Sequence, residues 1–428
     1  MRNRLAESRV IHAMALAVPF VMVALATGGL RHMFHVYQMT DELYHLPVTV
    51  RAASIWPRPL LTGYFAWPGP LVYWVLAGLS RPFGTSLVAV RAAVTVLSWA
   101  TVVTAYVLLR DRLGAPALVA LGFAFVLCFS PFFFGESFLV LTDNPTWLCV
   151  VLALERLLAY VQKPALWKLA AFAALAAAAS LMRQTNAWLF VPGFIAALTV
   201  PSTWRRRGVA LAAVALGLVP LVSLFAYWGG FVVPNEMPPP LSPLEFRVRN
   251  ALMALSVIGL WSAFIVPALE IKGLPARLGR RGRAAVAAAV AVALAALAAH
   301  AMRSLGGLGD GDPYGMGIVG HLSQATVWMP TASLSWWLLV PLGAAVVVVY
   351  VLRSSSRFDH VLAAALAGLI LASAANGTWY QRYVDFPVFL LLVCLAVTAG
   401  VEWHRIDRVR LAGLVAVSVF WTALMAAS

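Results

Sequence analysis

Long apolar runs follow one another along almost the whole chain, separated by short polar segments. Most of them approach or exceed the roughly 20 residues that an α-helix needs to cross a bilayer. The clear runs are residues 10–29, 86–109, 115–135, 143–161, 167–182, 186–200, 208–233, 250–269, 284–302, 330–352, 360–376, 386–401 and 411–427. The pattern predicts about thirteen transmembrane helices and therefore an all-α polytopic membrane protein.

One further run, residues 65–80, is short and is interrupted by Pro68 and Pro70. Proline lacks the backbone N–H that a helix interior needs. From the pattern alone this run is either another crossing or a juxtamembrane element that lies along the membrane surface. The distribution of charge decides between the two.

Lysine and arginine are retained in the cytoplasmic loops of membrane proteins. If residues 65–80 do not cross, the inner segments carry 21 basic and 7 acidic residues, and the outer segments carry 10 and 9. If they do cross, every later loop changes side and the basic excess faces outward. We therefore predict that residues 65–80 stay on the outer side, within a first outer loop of residues 30–85.

The composition agrees with this interpretation. Of the 428 residues, 62% are apolar and 11% are charged, whereas soluble proteins have about 45–50% and about 25%. The inner loops account for nearly all of the net charge of +15, so nucleic acid is excluded as a partner. No soluble domain is visible, and we predict one integral membrane domain over residues 1–428.

The most informative polar segment follows the first predicted span and contains Asp41, Glu42 and His45. A spacing of four residues puts Asp41 and His45 on one side of a short helix. A partly desolvated carboxyl group beside a second acid has a raised proton affinity, which suits a general base. The alternative is a helix start in which the acids cap the helix and interact with its dipole.

Two further polar segments lie at predicted outer helix ends. Asp143 belongs to a Thr-Asp-Asn-Pro sequence, which is typical of a helix start and needs no function. Arg183, Gln184 and Asn186 lie in a polar turn between two apolar runs, where a tight hairpin is the simple interpretation. Arginine at membrane depth normally has an anionic partner or a water-filled cavity, so Arg183 is a candidate phosphate ligand.

The remaining candidates lie in later outer segments. The glycine-rich loop 303–329 contains Asp310, His321 and Gln324, and the spacing of the last two places them on one helical face. This loop could form a phosphate-binding nest, a lid or a mere connector, and it has no P-loop pattern. Arg382, before a late span, is a second candidate phosphate ligand.

Together these segments resemble the GT-C superfamily of membrane glycosyltransferases. Within it, the chain is similar to the family of terminal dolichyl-phosphate-glucose α-1,2-glucosyltransferases. The resemblance is carried by Asp-Glu-Leu-Tyr-His-Leu-Pro at 41–47, by Arg-Gln-Thr-Asn at 183–186, and by Gly-Asp at 309–310 with His321 and Gln324. It runs in islands from residue 38 to residue 385. Compact loops and alanine-rich spans suggest a bacterial relative.

The resemblance implies an inverting transfer of a hexose, glucose in that family, from a polyprenyl phosphate to a hydroxyl of a lipid-linked or glycan acceptor. Asp41 would be the general base, and Glu42 or Asp143 would orient the acceptor or hold the charge state of the base. The implied substrate-binding residues are His45, Arg183, Gln184, Asn186, Asp310, His321, Gln324 and Arg382. The site would face the periplasm from a bacterial inner membrane, or the ER lumen in a eukaryote.

Nothing in the motifs identifies the sugar, so mannose and arabinose are alternatives. A lipid or sugar transporter is an alternative of another class, but transporters usually have internal repeats and ionisable residues at mid-membrane. Asp41 and Asp143 could share a divalent metal ion, although no HExxH or CxxC pattern requires one. Besides the polyprenyl-phosphate sugar and the acceptor, membrane lipids are the expected partners.

Overall fold

A computed structural model describes residues 2–31, 39–64, 68–234, 247–268, 279–305, 327–329, 332–353, 356–375, 383–398 and 408–427. The helices are α1 (Arg2–Ala26), α2 (Met39–Ile55), α3 (Pro70–Ser80), α4 (Leu87–Val107), α5 (Ala117–Cys128), α6 (Pro131–Glu136), α7 (Asp143–Gln162), α8 (Leu166–Met182), α9 (Phe190–Thr199), α10 (Trp204–Trp228), α11 (Val248–Ala268), α12 (Arg280–Leu305), α13 (Leu334–Arg353), α14 (Arg357–Ala374), α15 (Asp385–Thr398) and α16 (Arg408–Ala427). A π-helix (Leu108–Arg112) extends α4, and 3₁₀-helices cover Arg81–Phe83 and Gln184–Leu189.

Strands in the described residues are limited to one small hairpin. β1 (Val327–Met329) pairs antiparallel with β2 (Ala332–Ser333). Everything else that is regular in the described part of the chain is helical, so the predicted all-α class is confirmed. Seven of the described helices are long and apolar enough to cross a membrane, and five shorter apolar helices accompany them. The structure is that of a polytopic membrane protein, and the number thirteen stays a prediction.

Each predicted span coincides with helical structure, but the run 115–135 does not form one continuous helix. α5 ends at Cys128 and α6 begins at Pro131. The residue before a proline is disfavoured in the helical conformation, and Ser130 is accordingly extended, with ψ 127°. The proline therefore ends the helix that the apolar pattern extends to residue 135.

Residues Met1–Ala187, Ala212–Pro238 and Leu411–Ser428 form one compact unit. In it α7 packs against α4 and α8, while α3 packs against α2, α4 and α8. Small residues allow membrane helices to approach closely, and α8 buries a stripe of them along its length. The buried small residues of α8 are Ala173, Ala176, Ala177, Ala179 and Ser180.

The run 65–80 gives α3, a helix of only 11 residues. At 1.5 Å per residue it is about 16 Å long, roughly half of what a bilayer crossing needs, in line with the predicted juxtamembrane element. Before it, the Gly69 N–H donates to the Met182 carbonyl at 2.9 Å. A Cβ at Gly69 would lie 1.9 Å from the Leu181 carbonyl oxygen, so only glycine allows this approach. The start of α3 is thereby fixed beside the end of α8.

Residues Trp188–Leu211 and Pro239–Arg410 form a second compact unit. Its α11 and α13 meet backbone to backbone, because a Cβ at Gly259 would lie 2.1 Å from the Leu339 oxygen, and one at Gly343 would lie 2.0 Å from the Leu255 oxygen. Glycine at such crossings is typical of membrane helix pairs. The prediction of one membrane domain over the whole chain stays a prediction.

Candidate active site

The acidic segment begins α2, with Asp41 and Glu42 in its first turn. His45 follows one turn later, so Asp41 and His45 lie on one side of the helix, as their spacing predicts. Glu42 and His45 are buried, whereas Asp41 is half-buried. Of the two neighbouring acids, Asp41 is therefore the one with more access to a substrate.

Glu42 is bound in an ion pair with Arg91 of α4. The Arg91 Nε donates to Oε1 at 2.9 Å and its Nη2 to Oε2 at 2.5 Å, so the pair is bidentate. Oε1 also accepts the Val140 N–H at 2.8 Å, and the Arg91 Nη1 donates to the Leu30 carbonyl at 2.8 Å. Both side chains are buried. These contacts hold α2 against α4 and against the segment before α7. A catalytic role for Glu42 stays a prediction.

Asp143 and Arg183 form a second buried pair, with the Arg183 Nη1 2.5 Å from the Asp143 Oδ1. Arg183 also donates to the Thr142 hydroxyl at 3.4 Å. The Asp143 side chain is 2% exposed and that of Arg183 is 12% exposed, so the arginine is the more accessible partner of the pair. A guanidinium group has five N–H donors, so an arginine that pairs with one carboxylate can also bind a second anion.

The local sequence explains how Arg183 reaches this position. α8 ends at Met182 and Arg183 is extended, with φ −148° and ψ 114°. The Asn186 N–H donates to the Arg183 carbonyl at 3.0 Å as the chain enters the 3₁₀-helix Gln184–Leu189. Asn186 is buried and its Nδ2 donates to the Ala179 carbonyl at 3.4 Å, whereas Gln184 is half-buried. Substrate binding by Gln184 and Asn186 stays a prediction.

The two ion pairs lie at the same end of the first unit. α7 and α8 are joined at the Asp143–Arg183 pair, and the far ends of α4 and α7 are joined by Arg112, which lies 2.5 Å from Glu155. The starts of α4 and α7 and the end of α8 therefore lie at the same end of the unit. This is the alternation of helix directions that successive spans require, and the acidic segment of α2 lies at the same end because Glu42 contacts Arg91 and Val140.

His45 is hydrogen-bonded to a residue of α3. Its Nδ1 lies 2.8 Å from the Tyr73 hydroxyl, and Tyr73 is fully buried. Burial raises the pKa of Tyr73 well above its usual value, and Tyr64, Arg183, Asp143 and Asp41 also act on it electrostatically. The phenol is therefore neutral and protonated at any physiological pH.

Four predicted site residues lie outside the described residues, namely Asp310, His321, Gln324 and Arg382. Nothing in the structure bears on them. Within the described ranges there is no group of three or more His, Cys, Asp or Glu side chains arranged to hold a metal ion.

The sequence interpretation missed Arg91, Tyr73 and Asn144. Arg91 lies inside an apolar run, and a charged residue within a span is itself a signal for a partner or a function. Asn144 is buried, and its Nδ2 lies within hydrogen-bonding distance, 2.7–3.0 Å, of the Ser98 hydroxyl, the Ser137 hydroxyl and the Phe133 carbonyl. It fixes the start of α7, and so the place of Asp143. Nothing in the sequence signals the position of Tyr73.

Comparison with known proteins gives one family match. Residues 67–228 match the family model of dolichyl-phosphate-mannose-protein mannosyltransferases. The matched segment contains Arg91, Asp143 and Arg183. The match supports a GT-C glycosyltransferase. The narrower resemblance to the glucosyltransferase family is not confirmed and stays a prediction.

Two solved structures are similar to the chain. One is the protein O-mannosyltransferase Pmt1–Pmt2 complex of S. cerevisiae bound to its sugar donor, with 17% identity, a TM-score of 0.40, and coverage of 55% of this chain and 36% of that one. The other is ArnT from Cupriavidus metallidurans in the apo state, with 17% identity, a TM-score of 0.42, and coverage of 91% of this chain and 78% of that one. The chain thus spans about a third of the length of the mannosyltransferase. No curated protein matches it.

Proposed function

We propose that the chain is an inverting glycosyltransferase that moves a hexose from a polyprenyl phosphate to a hydroxyl of a lipid-linked or glycan acceptor on the non-cytoplasmic face. The observation that carries the proposal is the Asp143–Arg183 pair, which lies inside the segment that matches the mannosyltransferase family. It lies at the same end of the unit as the half-buried Asp41. An acid able to take a proton and an arginine able to bind phosphate are the two groups that this reaction needs.

The chemistry is a single displacement at the anomeric carbon. Asp41 takes the proton of the acceptor hydroxyl while the oxygen attacks that carbon. The bond from the carbon to the phosphate oxygen breaks, and the phosphate leaves with the electron pair. Arg183 stabilises the negative charge that grows on the phosphate. The sugar passes through an oxocarbenium-like state, as in glycoside hydrolysis, and its configuration inverts.

The donor sugar is the open choice within this proposal. The resemblance of the acidic and arginine segments favours glucose, whereas the matched family is named for a mannosyl donor. We expect purified protein, given radiolabelled glucosyl or mannosyl polyprenyl phosphate and a native lipid extract, to move one label into a new lipid or glycan. Extract without the protein is the control. If neither label moves, the proposed hexose transfer is wrong.

Arg183 provides a more specific test of donor binding. Replacing it by alanine removes a charge-assisted contact worth about 1.5–3 kcal/mol, so we expect the donor Kd to rise about 10- to 100-fold. The acceptor Kd should change less than about threefold, because the acceptor needs no phosphate contact at this residue in our proposal. Separate titrations of the two lipids measure both values.

Arg112→Ala is the matched control for Arg183→Ala. Arg112 pairs with the buried Glu155 at the opposite end of the same unit, so its loss also removes an arginine from a buried carboxylate, although Glu155 keeps its ion pair with Arg156. We expect it to leave both affinities unchanged. Equal weakening of donor and acceptor binding in the Arg183 variant would show a general distortion and not a phosphate contact.

A further inference from the structure

A buried hydrogen bond joins α3 to α2. The Tyr73 hydroxyl of α3 lies 2.8 Å from the His45 Nδ1, and the two rings are tilted with their centroids 5.9 Å apart. Tyr73 has no exposed surface and His45 is 9% exposed. In an environment from which water is excluded, a hydrogen bond of this kind is hard to replace.

The position of α3 makes this hydroxyl a common neighbour of several candidate residues. α3 packs against α2, which carries Asp41, and against α8, which Arg183 follows. The Gly69 hydrogen bond to the end of α8 fixes the start of α3 at the same place. The charges of Asp41, Asp143 and Arg183 accordingly all act on Tyr73, although they belong to three different segments of the chain.

We propose that Tyr73 is a positioning residue for the transfer reaction: its hydroxyl, through His45, holds the first turn of α2 so that Asp41 faces the Asp143–Arg183 pair. This inference rests on the proposed function and adds a residue that touches neither substrate. Asp41 lies one turn before His45 on the same side of α2, so a contact that fixes His45 also fixes the turn that carries the base.

The inference predicts a loss of turnover without a loss of binding. Tyr73→Phe keeps the ring and removes only the hydroxyl, so packing is retained. Misplacing a reacting group by about 1 Å can cost up to about 100-fold in rate, and we expect kcat to fall about 10-fold or more. The KM values for donor and acceptor should stay within about threefold, and the unfolding temperature should change little. Steady-state kinetics and thermal unfolding of the purified full chain measure these quantities.

Tyr64→Phe is the matched control. Tyr64 is also buried, its ring lies 5.4 Å from that of Tyr73, and its hydroxyl donates to the Pro68 carbonyl at 3.2 Å. Removing this hydroxyl deletes a buried polar group from the same cluster and leaves both members of the His45–Tyr73 hydrogen bond in place. We expect wild-type kcat in this variant. A fall equal to that of Tyr73→Phe would reduce the effect to general packing and overturn the inference.

A double-mutant cycle with His45→Phe tests whether the two residues act as one unit. Groups that act through a single contact are non-additive, so the double variant should lose no more than the larger single loss. Losses that multiply, or a wild-type kcat in Tyr73→Phe, would overturn the inference.

Nitrogen-15 NMR spectra of histidine-labelled protein report on the His45–Tyr73 hydrogen bond and do not require the protein to transfer sugar. The His45 signal is the one absent in His45→Phe, and it should shift in Tyr73→Phe but not in Tyr64→Phe. An unshifted signal contradicts the proposed coupling. If the wild-type chain transfers no sugar at all, the proposed function fails instead, and these spectra keep the two failures apart.

Discussion

Asp41→Asn is expected to abolish sugar transfer while the protein stays folded. Asparagine has nearly the same shape as aspartate but cannot accept a proton at neutral pH. General base catalysis contributes about 10²- to 10⁴-fold to a rate, so the remaining turnover should be at most about 1%. Asp41 is half-buried at the start of α2, and the neutral amide can occupy the same position. Initial rates of label transfer and the unfolding temperature check the two parts of this expectation.

Asp111→Asn is the control for Asp41→Asn. Asp111 lies in the π-helix after α4, at the opposite end of the first unit, and its partner Arg9 is half exposed. Pairs of this kind contribute about 0–1 kcal/mol, so this variant should keep both rate and stability. Near-normal turnover in Asp41→Asn would rule out Asp41 as the base and leave Asp143 as the acid to test next.

Local signals in the sequence are sufficient for much of the fold. The apolar runs give the positions of the helices because a bilayer-spanning helix must be apolar along its length. The Thr-Asp-Asn-Pro sequence gives the start of α7 at Asp143, where the helix indeed begins. The alternation of successive spans gives α4 and α7 a common direction, and the Arg112–Glu155 contact accordingly lies towards their other ends.

Contacts between distant segments could not be predicted in the same way. Glu42 and Arg91 are 49 residues apart, and their pairing depends on how far α2 and α4 are displaced along each other. Apolar periodicity gives no information about that displacement. The contact of His45 with Tyr73 depends likewise on where α3 begins, which the close approach at Gly69 determines. Such three-dimensional constraints decide which of two adjacent acids is buried in an ion pair with arginine and which is half-buried.

Arg91→Ala is expected to cause the largest loss of stability. It leaves the Glu42 carboxylate buried without its bidentate partner and the Leu30 carbonyl without a donor. Removing one member of a buried ion pair costs about 3–5 kcal/mol, so we expect a marked fall in the unfolding temperature in a detergent or lipid disc. Arg9→Ala, which breaks the half-exposed pair with Asp111, should cost no more than about 1 kcal/mol.

Combining Arg91→Met with Glu42→Gln separates a structural role of Glu42 from a catalytic one. The double change removes both charges, and replacing a buried ion pair by uncharged side chains of similar size is often neutral or stabilising. The glutamine carbonyl can still accept the Val140 N–H that Glu42 now accepts. Stability should therefore recover relative to Arg91→Ala. If Glu42 serves only to hold α2 against α4, sugar transfer should recover together with the stability. Restored stability with turnover still below about 1% would instead make the Glu42 carboxylate part of the chemistry, since the loss of a general acid or base costs that much.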